Sequence, residues 1–303
     1  MEVKTLLAGY SDNIFLRKTK GYYELMKPRV MSLVIFTAFT GMFLAPDQIP
    51  ILNYLIIIFA VALGAGSSAA INMWFDEDID RTMERTKLRP IPLGIVTKNE
   101  ALVLGILTGT GSLILMQWFS NSLATSLLLF TILFYIFIYT FWLKRTTSLN
   151  IVIGGAAGAF PPMIGWSAVA GTLSYEPLII FTIIFLWTPP HFWALALYRS
   201  GEYKKAGIPM MPVIVGPERT LNMIVAYSAI LFPVTISLGL FYSYFYTISA
   251  TVLSVIFVYL SLKLKNTPVD AKDFEKKAQQ FFYFTIIFLF NIFAILLIDC
   301  VVM

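Results

Sequence analysis

Residues 51–81 read ILNYLIIIFAVALGAGSSAAINMWFDEDIDR: twenty uncharged residues from Ile51 to Ala70, then a burst of acid. A helix needs roughly 20 apolar residues to cross the ~30 Å hydrocarbon core of a bilayer. Inside lipid the backbone must satisfy its own hydrogen bonds, so such a run is helical. Beyond it Asn72, Asp76 and Asp80 follow at intervals of four. Each step of four turns ~40° and rises ~6 Å on a helix, so the three share one face. The stretch predicts a membrane helix that delivers an acidic face to the edge of the bilayer.

The same reading extends outward along the chain. Nine apolar runs appear: Val30–Leu44, Ile51–Ala70, Ala101–Met116, Leu123–Trp142, Ile151–Val169, Leu178–Leu197, Leu221–Leu240, Tyr246–Leu262 and Phe281–Ile298. The 303 residues are 58% hydrophobic and only 13% charged. Soluble domains carry roughly 45–50% apolar and 25% charged residues. A soluble enzyme and a disordered chain are therefore excluded. One cysteine, Cys300, excludes a disulfide framework, and one histidine, His191, excludes a multi-histidine metal cage. Residues 1–29 are polar and basic and lack an early apolar core, so they read as a cytoplasmic segment rather than a leader. Residues 30–303 read as one membrane domain.

Charge orients the runs. With the N-terminus placed inside, all 22 Lys and Arg fall in residues 1–29 and the four inside loops. Asp47, Glu176 and Asp299 are the only charges on the other side. This is the positive-inside pattern. It predicts nine crossings, a cytoplasmic N-terminus and an external C-terminus. The loops after the second and sixth runs are long and lie inside, where chemistry on a rigid scaffold collects.

Like charges at Asp76 and Asp80 repel on a helix and call for a compensating cation. Oxygen donors without His or Cys suit a hard ion, Mg2+ above all, which takes one or two carboxylates plus substrate phosphates. Arg81, Arg85 and Arg89 continue the four-residue spacing up to Pro90, which stops the helix. A carboxylate face beside a guanidinium face suits a metal–diphosphate complex, because Arg grips phosphate oxygens in bidentate fashion. Lipid headgroups are the competing partner for one or two of these arginines.

Asn72-x-x-x-Asp76-x-x-x-Asp80 followed by Arg85-Thr86-Lys87-Leu88-Arg89-Pro90 resembles the first signature of the UbiA superfamily of membrane prenyltransferases. Three further stretches, Lys144–Gly155, Ala159–Trp166 and Pro190–Val213, resemble the branch of that superfamily that farnesylates haem. The resemblance covers roughly residues 22–220. It implies an all-α fold of nine transmembrane helices in a ring around a central cavity, with the active site at the cytoplasmic mouth. It implies a plasma-membrane enzyme of a prokaryote that takes farnesyl diphosphate and haem B, uses Mg2+, and has a terminal oxidase or a haem A synthase as assembly partner. It implies no nucleic acid partner. Asn72, Asp76 and Asp80 would be catalytic through the metal, with Lys144, Arg145, Arg85, Arg89, Arg199 and Lys204 on the diphosphate. Many superfamily members carry a second aspartate pair after the sixth helix. Tyr198–Gly207 has no Asp and one acid, Glu202. Glu202 alone would hold a second metal, or Arg199, Lys204 and Lys205 replace it electrostatically.

His191 lies inside the sixth run, after Pro189-Pro190. An ionisable group within a membrane usually faces a cavity. Its readings are an axial ligand to haem iron, a donor to a propionate, a general base completing the alkylation, or a structural hydrogen bond. The small-residue clusters Gly64–Ala70 and Gly154–Ala159 read as close helix packing, or as room for a flat macrocycle. Pro161-Pro162 is expected to break the fifth helix. Two other functions remain to weigh: transfer to a quinone precursor or a glycerol-phosphate lipid, and transport without catalysis. Transport predicts polar residues at the midplane of the spans. Here they gather at one end.

Overall fold

The computed structural model describes residues 13–302. Lys4 and the rest of the first twelve residues of the basic N-terminal segment lie outside the described residues.

Every regular element among the described residues is a helix. Helix α1 is Ile14–Leu25, α2 Pro28–Phe43, α3 Ile51–Phe75, α4 Glu77–Thr82, α5 Lys98–Phe119 and α6 Ser122–Thr146. Then come α7 Asn150–Ala159, α8 Pro161–Ala170, α9 Tyr175–Tyr198, α10 Ser200–Lys205, α11 Met211–Ile214, α12 Pro217–Ser237, α13 Tyr244–Lys265 and α14 Phe274–Val302. With α7 and α8 counted as one span, eight helices are long and apolar enough to cross a membrane. The first apolar run is shorter: α2 has 16 residues, about 24 Å of helix. Outward faces are apolar throughout; Leu107, Trp118, Phe137 and Phe290 are all more than half exposed, as lipid contact requires.

The chain of neighbours closes on itself. α2 packs on α3 and α8, α3 on α5, α5 on α6, and α6 on α7 and α8. α9 then packs on α7, α12 and α14, α13 joins α12 to α14, and α14 returns to α2. That last contact is aromatic: Phe36 stacks on Phe290 at 4.9 Å between ring centroids.

Small residues set the closest approaches. Ser67 of α3 donates to the Gly105 carbonyl of α5 at 2.7 Å. The expected break falls at Phe160, with Pro161 as the first residue of α8. The freed end of α8 presses on α2 so closely that a Cβ at Gly165 would lie 2.1 Å from the Ala38 carbonyl oxygen. A Cβ at Gly41 would lie 2.1 Å from the Pro162 carbonyl oxygen. Both glycines are there because backbone meets backbone.

One expectation is corrected. The helix carrying Asp80 does not run on to Arg89; α4 ends at Thr82, where Met83 turns extended. Thr86 donates its hydroxyl to the Asp80 carbonyl, and Pro90 and Pro92 keep the following segment in turns. Arg81, Arg85 and Arg89 therefore do not share a helical face.

Gly165→Ala is expected to destabilise the protein by about 1–3 kcal/mol through overpacking. Gly158→Ala, whose Cβ would meet nothing within 4 Å, leaves it unchanged. Melting temperatures of the two variants in the same detergent check this.

Candidate active site

Helical spacing persists through the junction of α3 and α4. The Asp76 amide bonds the Asn72 carbonyl at 2.9 Å, and the Asp80 amide bonds the Asp76 carbonyl at 2.8 Å. Asn72, Asp76 and Asp80 thus stay on one face, as the spacing predicts, and all three are buried, Asp76 completely. A buried carboxylate is costly unless paired. Each acid here has its cation.

Lys144, at the end of α6, bonds Asp76 Oδ2. Asn72 Nδ2 donates to the same carboxylate at 2.7 Å and reaches Thr140 Oγ1 at 3.3 Å. Arg89 folds back through the turns to grip both oxygens of Asp80, at 2.8 and 2.7 Å. Arg145 makes its fork with Asp78 instead, at 2.8 Å on each arm, and touches Asp76 only at 3.4 Å. Its guanidinium lies over the Phe75 ring, 4.6 Å from the centroid. Arg145 in turn holds the Asp78 carboxyl below its ordinary range.

Lys144 reaches Asp76 because α6 changes pitch. Residues Phe134–Leu143 form a π-helix, and the Lys144 amide bonds the Tyr139 carbonyl five residues back. π-helical turns are rare and frequent at functional sites. The rings of Tyr135 and Tyr139 lie 5.1 Å apart on the same stretch.

The sequence reading passed over Lys27 as one more basic residue of the N-terminal segment. The structure puts its Nζ 2.8 Å from Asn72 Oδ1. Burial, with Arg89 and Lys144 nearby, holds its ammonium well below the ordinary lysine range, against the pull of Asp80 and Asp76. The available signal was position: a lysine before Pro28, at the start of the first apolar run, on the acidic face's own side. Thr140 was missed as well; its signal was a polar residue four before Lys144 in an apolar span.

Elsewhere the expected residues separate. Glu202 Oε1 accepts from Arg199 at 2.5 Å, and its buried Oε2 has no hydrogen-bond partner. Among the described residues no three of His, Cys, Asp and Glu stand close enough to share a metal, so Glu202 does not join Asp76 and Asp80. Arg85 lies exposed beside Tyr203, whose hydroxyl burial pushes up, and Lys204 is exposed on α10. Asn150, at the start of α7, is buried with neither amide atom bonded.

His191 sits in α9, stacked between Trp187 at 4.3 Å and Phe282 at 4.5 Å. Thr285 Oγ1 lies 2.6 Å from the Phe282 carbonyl, which can only accept, so the hydroxyl proton goes there. His191 Nδ1, 2.6 Å from the same Oγ1, must then be the donor. The tautomer left has its free lone pair on Nε2. The hydrogen bond and ring contacts of His191 run to residues of α9 and α14.

A closed succession of apolar helices thus carries, at one end, a buried Asn–Asp face with matched cations. A sequence profile of the UbiA prenyltransferase family matches residues 34–292, and the chain belongs to that family. It is 49% identical over 283 residues to a protoheme IX farnesyltransferase of Parvibaculum lavamentivorans, covering 92% of this chain and 88% of the relative. With the protein of the same name from Agrobacterium fabrum it shares 46% over 300 residues, 98% of this chain and 94% of that one. Two solved structures share the fold at 19% identity. A digeranylgeranylglyceryl phosphate synthase superposes with TM-score 0.78 over 94% of this chain and 99% of its own. A UbiA homologue from Archaeoglobus fulgidus, bound to GPP and Mg2+, superposes with TM-score 0.66 over 91% and 99%.

Lys144→Met leaves the Asp76 carboxylate buried without its ammonium and is expected to cost about 3 kcal/mol. Asp78→Asn breaks a pair whose acid is 64% exposed and is expected to cost less than about 1 kcal/mol. Thermal melts of the two variants against the parent chain decide it.

Proposed function

We propose that this chain transfers the farnesyl group of farnesyl diphosphate to a vinyl group of haem B. The observation that carries the proposal is the likeness, at 46–51% identity over nine-tenths of the chain, to proteins named protoheme IX farnesyltransferase. The buried Asn72–Asp76–Asp80 face with its cations supports it independently. The finer architecture belongs to the same reading: nine crossings including α2, a ring around a cavity, and a mouth on the cytoplasmic side of a prokaryotic plasma membrane. The one-sided distribution of all 22 basic residues supports that orientation, N-terminus inside and C-terminus outside.

The residues present fit Mg2+. Asn72 Oδ1 and the carboxylates of Asp76 and Asp80 are hard oxygen donors, buried and close, with room in the coordination number for diphosphate oxygens. When bound, the ion neutralises charge developing on the leaving diphosphate. Lys144 and Arg89 stand on the same face and share that charge, with Arg145 and Arg85 at its rim. The allylic C–O bond breaks heterolytically, and diphosphate keeps the electron pair. The vinyl π electrons form the new C–C bond, and water adds to the resulting cation and loses a proton, giving a hydroxyethylfarnesyl side chain. Apolar walls keep water from the farnesyl cation until then. In this reading His191, with Nε2 free, is the contact to haem, and its bond to Thr285 sets the tautomer.

A quinone precursor or a glycerol-phosphate lipid is the alternative acceptor. The single acid of Tyr198–Gly207, Glu202, already taken by Arg199, disfavours it.

Purified protein with haem B, farnesyl diphosphate and Mg2+ is expected to yield farnesylated haem by mass spectrometry. Folded protein that makes none refutes the acceptor. Asp76→Asn is expected to lower turnover by about 10²–10³-fold or more while haem still binds. His191→Ala is expected to shift the Soret band of bound haem. Thr285→Val lowers turnover by about 10-fold or more, as loss of an orienting partner does, and Thr285→Ser restores it.

A further inference from the structure

Lys27 is the one described residue other than glycine with a positive φ, +50°. A side chain in the left-handed region crowds the following carbonyl and is strained. Such strain persists only where the surroundings over-determine it. What the conformation achieves here is specific. It turns the lysine back from the start of α2 and sets its Nζ on Asn72 Oδ1, 2.8 Å away. That oxygen is the one Asn72 would offer a metal, since its Nδ2 is already engaged by Asp76 and Thr140.

The charge balance of the face points the same way. Two buried carboxylates, Asp76 and Asp80, are already met by Lys144 and Arg89, and Lys27 brings a further amine to the same face. Asp78 and Arg145 cancel each other beside them. The face thus holds one more basic group than acids before any ligand arrives. A bare divalent ion would find both acids already paired and would meet Lys27 on its own ligand oxygen. A metal carrying a diphosphate brings several negative charges with it and gives Lys27 a better partner than a neutral amide.

We infer that Lys27 is a placeholder cation: it sits on Asn72 Oδ1 while the site is empty and passes to the diphosphate when a metal–diphosphate complex enters. The chain therefore takes up metal and diphosphate together and bare metal weakly. This rests on the reading of Asn72, Asp76 and Asp80 as a metal–diphosphate site, and it does not depend on the acceptor.

The test uses the full chain in detergent or nanodiscs, with Mn2+ followed by electron paramagnetic resonance and inorganic diphosphate by calorimetry. In the parent chain, inorganic diphosphate should tighten Mn2+ binding at least about tenfold, and Mn2+ should tighten diphosphate by the same factor, since coupling is reciprocal. Lys27→Met should move the two affinities in opposite directions: bare Mn2+ tighter by about tenfold, diphosphate weaker by about tenfold. Lys27→Arg, which keeps the charge, should retain the diphosphate affinity. Unchanged Mn2+ affinity in Lys27→Met, or a fall in both affinities, overturns the inference, provided Asp76→Asn still abolishes Mn2+ binding. If Lys27→Met does not fold, absence of coupling in the parent chain overturns it alone. A parent chain that binds Mn2+ in neither condition refutes the metal site itself.

Discussion

A carboxylate cut off from water, Asp76, ties this molecule together at its chemical end. Lys144 from α6, Asn72 from its own helix and the edge of Arg145 surround it and offset the cost of its burial. Those partners come from α3 and from the far end of α6, so satisfying one acid fixes where two membrane helices end relative to each other. Lys27 brings the start of α2 to the same point, and Arg89 folds the loop after α4 over it. The site is assembled by electrostatics at the rim of an apolar scaffold.

The opposite end is held, among the described residues, by hydrogen bonds without ion pairs. Asn121 donates to the Ser167 carbonyl at 2.7 Å, and the buried Asp299 accepts from the Ser243 amide at 2.9 Å. Neither arrangement gathers cations. The protein is thus chemically polar along its helices: one end is a network of charges that can be re-paired, the other a set of caps that stay closed. Between them, α2 and α8 meet at Gly41 and Gly165 with no side chain between backbones. Packing of that kind is rigid, because backbone cannot yield as a side chain can.

Much of this was legible in the residues. Eight of the nine apolar runs coincide with helices long enough to span a bilayer and the first with the shorter α2, and the break before Pro161 lies where the proline pair puts it, because both signals are local. The Asn72–Asp76–Asp80 face was legible for the same reason: three positions on one helix. What escaped depends on distance along the chain. Lys27 meets Asn72 across 45 residues, and nothing in the four residues around it says so. The Arg81–Arg85–Arg89 series misled because its spacing is helical while the prolines beyond it and the Thr86 hydroxyl favour turns. His191 stood out as a lone histidine, but its tautomer needed Thr285, which lies 94 residues away.

The π-helical stretch Phe134–Leu143 gives the site a dependence on chain length that hydrophobicity does not record. Removing one residue there would rotate everything beyond it by about 100° and shift it about 1.5 Å along the axis. Lys144 would then leave Asp76, although the segment would remain as greasy and as able to span a bilayer as before. Substitutions within these ten residues have many acceptable answers, whereas single-residue insertions and deletions have none. A designer transplanting this site to another bundle would have to carry the miscount along with the ligands.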